Sequence, residues 1–185
     1  DNLMIEELIK GCRNNESLAQ KKLFELFSPK MYGVCRRYAN DSETARDILI
    51  EGFITVFEKI NDYQGNGHFE GWIRRIFVNT SIDHFRSSKR DAMFYSRSIN
   101  EEEEFEEPIN SIMLTIEENQ VLTYLESIPE QYRIPLNLFE IEGYSHKEIS
   151  KMLDISEEAS RVRCLRARNM LAKLVIKHAK NERKR

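Results

Sequence analysis

Arg161, Arg163, Arg166 and Arg168 crowd one short run towards the C-terminal end of the chain, with Lys147 just upstream. Cationic groups spaced along a helix can meet backbone phosphates, and an arginine can also donate to both acceptors on the major-groove edge of a guanine. The elements that must position them are legible in residues 143–168, GYSHKEISKMLDISEEASRVRCLRAR. Ser145 followed by Glu148 is a capping box, and Ile149, Met152 and Leu153 recur at helical spacing. Asp154-Ile155-Ser156 supplies a short turn, with Ser156 placed to cap a second helix. The arginines alone would fit a solvated charged helix in a bundle. Cap, turn and arginines arriving together at helix-turn-helix spacing point instead to DNA.

The overall charge, −3 over 185 residues, argues against this. Its distribution resolves the conflict. Six glutamates sit together at Glu101–Glu104, Glu106 and Glu107, and without them the balance turns positive, to +3. From Ala159 to the end, ten Lys or Arg stand against Glu182 alone, an electrostatic footprint for nucleic acid. Cys12, Cys35 and Cys164 are too few and scattered for a disulfide framework, and His68, His84, His146 and His178 lack metal-ligand spacing. No apolar run approaches the roughly 18 residues of a membrane span. The expectation is a soluble cytoplasmic protein with no membrane insertion, no metal and no cofactor. Asp83-His84 is the nearest acid–base pair, but neighbours on a helix point about 100° apart, so no catalysis is expected.

Strand signals are nearly absent and helical periodicity recurs, so the expected fold class is all-α. Residues 3–12 and 17–28 read as short helices broken near Gly11 and Pro29, and 31–39 continues the pattern. Asn40-Asp41-Ser42 ends one helix and caps the next, which Ile48, Phe53, Val56, Phe57 and Ile60 line. Residues 62–69 hold two glycines and form a loop. A further helix over 71–87 should turn Trp72, Ile76, Phe77 and Ile82 inward. Periodicity then fails from Ser88 to about Asn110, where the glutamates lie, and this reads as a flexible, self-repelling linker. Helix returns over 112–126. Ser127 to Glu130 then resembles another capping box, and Pro135 should bend the helix it opens. The layout is two small helical domains, 1–88 and 111–185, on an acidic linker at 89–110.

With these elements in place, the chain resembles a bacterial RNA polymerase sigma factor of the extracytoplasmic-function type in the sigma-70 family. IPEQYRIPLNLFEIEGYSHKEISKMLDISEEASRVRCLRAR resembles sigma region 4. ARDILIEGFITVFEKI and FEGWIRRIFVNTSIDHFR resemble, in region 2, the polymerase-docking helix and the helix that melts and reads the minus-ten element. The resemblance covers about 5–90 and 112–176. It implies two partners, promoter DNA and core RNA polymerase, engaged at the beta-prime clamp and the beta flap, and suggests an anti-sigma factor as a third. It assigns minus-thirty-five contacts to Ser160, Arg161, Arg163 and Arg166, with Lys147 on phosphate. Around the 62–69 loop it assigns an extruded base to Tyr63 and Asn79, with Arg74, Arg75 and Arg86 on the strand. Trp72 is expected in the core rather than on a base. Polymerase docking falls to Asp47, Ile48, Glu51 and Phe53.

This sequence departs from the family's pattern in two places. Where the docking helix commonly reads D-I-x-Q-E-x-F, Ile50 replaces the glutamine and Gly52 enters the helix interior, which costs about 1 kcal/mol relative to alanine. The recognition helix reads Glu158-Ala159-Ser160-Arg161-Val162-Arg163 in place of G-T-V-K-S-R, implying a promoter preference of its own. The alternative is a helix-turn-helix regulator acting without polymerase docking, which would leave the N-terminal half unexplained.

Overall fold

The structure is a computed structural model that describes residues 2–93 and 118–182, with side chains over 3–88 and 122–177. The described residues are helical, without strands, and divide into two compact units, Asp1–Phe85 and Arg86–Arg185.

In the first unit, α1 (Asn2–Arg13) ends two residues past Gly11, close to the expected break, whereas α2 (Ser17–Tyr38) runs through Pro29 without the break expected there. Gly11 is buried at a close helix approach, where an added Cβ would stand 2.5 Å from that of Ala19. Pro29 removes one helical hydrogen bond, at about 3 kcal/mol. Leu23 and Phe27 before it, and Met31, Val34 and Cys35 after it, are buried on both sides of that position. Each such burial contributes about 1.5–3 kcal/mol for the larger side chains, so the core outweighs the proline.

Asp41 starts α3 (Ser42–Glu58), its Oδ1 accepting from the Thr44 amide at 2.7 Å. That bond holds the Asp41 carboxyl below the usual carboxylate range. Helix α3 buries Ala45, Ile48, Gly52, Phe53 and Val56. Gly52 has a tertiary reason. A Cβ there would lie 2.2 Å from the ring of Phe77, on α4 (Phe69–Met93), so the aromatic ring occupies the space the glycine leaves. Phe77 in turn meets Phe53 edge-on, with ring centroids 5.2 Å apart. Helix α4 continues to Met93, five residues into the expected linker. Ser88 to Met93 contains no glycine or proline to stop a helix. The rest of the expected linker, including the glutamate run, lies outside the described residues.

The second unit holds α5 (Glu118–Glu126), α6 (Glu130–Leu136), a wide π turn over Asn137–Ile141, α7 (His146–Leu153) and α8 (Glu157–Glu182). Leu125, Ile128, Tyr132, Leu136, Ala167 and Leu171 form a core where α5 and α6 meet α8. Ser127 does not cap α6, which starts from Pro129 without a side-chain cap; its hydroxyl donates back to the Tyr124 carbonyl at 2.7 Å and closes α5. Arg133, 1% exposed, donates to the carbonyls of Leu125, Glu126 and Ile128 at 3.2–3.4 Å and satisfies the end of α5 from below. Pro135 lies inside α6, and the π turn follows within two residues.

Candidate nucleic-acid interface

The helix-turn-helix forms as its residues suggest. Ser145 accepts from the Glu148 amide at 3.3 Å, while Glu148 Oε2 accepts from the Ser145 amide at 2.8 Å. The Ser145 amide and the Ser145 hydroxyl, which donates to the same Oε2 at 2.7 Å, together lower the Glu148 pKa. Asp154 takes the left-handed conformation, φ 54°, that turns the chain out of α7. Ser156 Oγ accepts from the Ala159 amide at 3.0 Å and starts α8.

The structure sorts the five residues expected at the minus-thirty-five element. Lys147 and Arg161 are exposed and Arg163 is half-buried. Arg161 lies beside Glu157 and Glu158, at 3.3 and 3.9 Å, within its own helix. Two steps along a helix put Arg161 and Arg163 roughly 160° apart, so they flank α8 rather than share one face. Ser160 is a correction: at 0% exposure it cannot reach a base, and its hydroxyl stands 2.9 Å from Nδ1 of His146. Arg166 is turned towards α6, its guanidinium 6.0 Å over the Tyr132 ring and donating to the Tyr132 hydroxyl at 3.4 Å. Arg168, the fourth arginine of the run, pairs with Glu140 through its Nε at 2.8 Å.

In the first unit, Tyr63 borders a cleft of about 570 Å³ together with Ile5, Glu6 and Ile9 of α1 and with Gly67 and His68. Its hydroxyl donates to the Gly67 carbonyl at 2.7 Å, closing the loop on itself. Gly65 and Gly67 have φ of 75° and 98°, which glycine adopts without strain. Arg13 ties this loop to α1 by donating to the carbonyls of Tyr63 and, at 3.4 Å, Ile60. Asn79 does not line the cleft, so the structure does not join Tyr63 and Asn79 in one cavity. Asn79 and Arg75 are exposed on α4.

By helical geometry Trp72, Arg75, Asn79 and Arg86 fall within an arc of roughly 60°, whereas Arg74 lies about 140° from Asn79. Arg74 is therefore off the stripe. Trp72 is on it, half-exposed rather than in the core, stacked on Phe69 at 5.5 Å and tilted against Tyr63 at 5.5 Å. Ile76 is likewise half-exposed, while Phe77 and Ile82 are buried as expected.

The docking helix needs a second correction. Ile48 and Phe53 are 1% and 3% exposed and belong to the core, so they are not contact residues. Asp47 and Glu51 are exposed, and beside them stand Ile50 and Ile54, at 56% and 53%. Sequence reasoning passed over these two isoleucines as contacts. Their signal was present: they fall outside the 45, 48, 52, 53, 56 spacing of the buried face.

Two helical units, one carrying an aromatic and basic stripe and the other a basic helix-turn-helix, define a nucleic-acid-binding protein. Residues 23–91 match the family model for sigma-70 region 2, and residues 118–171 match that for sigma-70 region 4. The chain is 25% identical to the RNA polymerase sigma-H factor of Pseudomonas aeruginosa over 91% of this chain and 92% of that one. It is 26% identical to the ECF RNA polymerase sigma factor SigW of Bacillus subtilis, over 92% and 96%. The sigma factor RpoE in its co-crystal structure with the anti-sigma factor NepR from Bartonella quintana shares the fold. The TM-score there is 0.50 at 16% identity, covering 85% of this chain and 96% of that one. The chain belongs to the sigma-70 family of RNA polymerase sigma factors, in its extracytoplasmic-function group.

Proposed function

We infer that this protein binds core RNA polymerase and directs it to promoters by recognising minus-thirty-five and minus-ten elements and opening the DNA. The observation that carries the reading is the pair of family matches, region 2 and then region 4, each falling on a unit whose surface suits its task. The exposed patch of Asp47, Ile50, Glu51 and Ile54 on α3 is the docking surface for the beta-prime clamp. Helices α7 and α8 serve the minus-thirty-five element beside the beta flap, through Lys147, Arg161 and Arg163. The α4 stripe, with Trp72, Arg75, Asn79 and Arg86, meets the melted strand at the minus-ten element, where Tyr63 supplies an aromatic face. An anti-sigma factor is a further partner, and the cytoplasm the proposed compartment. Single-stranded bases stack on aromatic faces at about 1–3 kcal/mol each, which offsets the cost of leaving the duplex. A regulator acting without polymerase would not need the α3 patch or the stripe.

The test is run-off transcription with purified core polymerase on promoters selected from a random library. Core with the chain should initiate at defined starts, and core alone should not. A chain that binds the selected DNA but neither co-elutes with core nor supports initiation would sink the reading.

A further inference from the structure

Ser160 is fully buried although the residue after it, Arg161, stands exposed near the start of the recognition helix. Its hydroxyl lies 2.9 Å from Nδ1 of His146, the first residue of α7 after the Ser145 cap. The other buried residues on these two helices, Ile149 and Leu153 on α7 and Cys164, Ala167 and Leu171 on α8, are apolar or nearly so. Apolar packing is non-directional and leaves one helix able to turn or slide against the other. A hydrogen bond between two fixed points has direction, and a buried hydroxyl left unmatched would cost more than the bond gives.

The imidazole is itself held. It lies flat on the ring of Phe139, with centroids 4.3 Å apart and planes 9° from parallel. Arg168 approaches the same ring at 5.7 Å and is anchored by Glu140. A connected set of contacts therefore runs from the π turn through Phe139 and His146 to Ser160, one residue from Arg161.

We propose that Ser160 and His146 form a polar lock that positions the recognition helix, so that Ser160 serves promoter reading through Arg161 rather than by touching DNA. Ser160 is thus a positioning residue. The inference rests on reading α7 and α8 as the promoter-binding helices. The charged groups facing His146 are Arg161 and Arg168 of α8, which oppose an imidazolium, and Glu157 of α8 and Glu140 of the π turn, which favour one. Burial is the largest influence and the arginines come next, so the imidazole titrates below its ordinary value. Above the unfolded-state value, about 6.5, both states are neutral and the lock contributes in full. As the pH falls through that value towards the lower folded one, the unfolded state takes up the proton first and the contribution is lost.

The test is a double-mutant cycle in the full chain, Ser160→Val, His146→Phe and the pair together, assayed as holoenzyme on a selected promoter. Ser160→Val leaves Nδ1 of the half-buried His146 without its partner and should weaken promoter binding about tenfold, at the lower end of the cost of an unsatisfied buried group. The double variant keeps the stack on Phe139 and removes both polar groups, so it should return to within about threefold of wild type. The thermal stability of the wild-type chain should fall as the pH drops below about 6.5, and the double variant, which lacks the imidazole, should lose less over the same range. Losses that simply add, a preference altered at one base position without rescue, or superimposable pH profiles would each overturn the lock. The same cycle read from the thermal unfolding of the chain alone needs neither polymerase nor DNA. Non-additive Tm shifts there support the lock even if the promoter reading fails, and additive ones overturn it.

Discussion

Gly52→Ala puts a methyl group where the ring of Phe77 now lies. The added carbon would stand 2.2, 2.5 and 2.8 Å from three ring atoms, all inside any tolerable contact. Phe77 has little freedom to yield, being fully buried and set edge-on against Phe53 at 5.2 Å. Overpacking of this kind typically costs about 1–3 kcal/mol and occasionally more. Against it stands the better helix propensity of alanine, about 1 kcal/mol. The net expectation is a loss of about 1–2 kcal/mol, at the upper half of the overpacking range less that gain. Gly33 in α2 is the internal control, because a Cβ there meets nothing within 4 Å. Gly33→Ala should stabilise by about 0.5–1 kcal/mol through propensity alone. Trp72, the single tryptophan of the chain, lies in the same helical unit and reports its unfolding by fluorescence in a urea titration. If Gly52→Ala proves as stable as wild type or more so, the close approach of α3 and α4 is not the reason for this glycine. Combining it with Phe77→Leu should cost less than the two single losses added together.

On the docking face, Ile50→Asp and Asp47→Arg should weaken binding to core polymerase while leaving Trp72-monitored stability unchanged. Ile48→Ala should instead lower stability by about 2–4 kcal/mol, and anisotropy titration with core separates the two effects. Tyr63→Ala should leave duplex binding nearly intact yet reduce permanganate reactivity of the melted strand; wild-type reactivity would remove Tyr63 from the opening step. Arg161→Ala should relax preference at one position of the minus-thirty-five element by about 1–3 kcal/mol, measured on single-base promoter variants. Arg166→Ala should spare that preference and lower the stability of the second unit, and a base-specific loss there would show that it leaves Tyr132 to meet DNA.

Three helix starts, and the order of region 2 before region 4, could be read from the sequence alone. Asp41, Ser145 and Ser156 are caps whose hydrogen bonds run to amides three residues away, so local pattern suffices. The all-α class and the helix-turn-helix follow from the 3.6-residue period, which is equally local. Tertiary structure decided whatever depends on which face a partner covers. Ser160 looked like a base contact because it falls on a DNA-facing position of the family's pattern, yet α7 covers its side of α8. Ile48 and Phe53 matched a docking motif, but they supply the face that α3 buries, and Ile50 and Ile54 are left outside. Gly52 read as a propensity defect until Phe77, 25 residues further along, was found in its space. Pro29 read as a helix break because propensity counts single residues, whereas the packed helix gains from every side chain buried on either side. Position along the chain gives a side chain its angle around the helix, and only the packed neighbours decide which angle faces water.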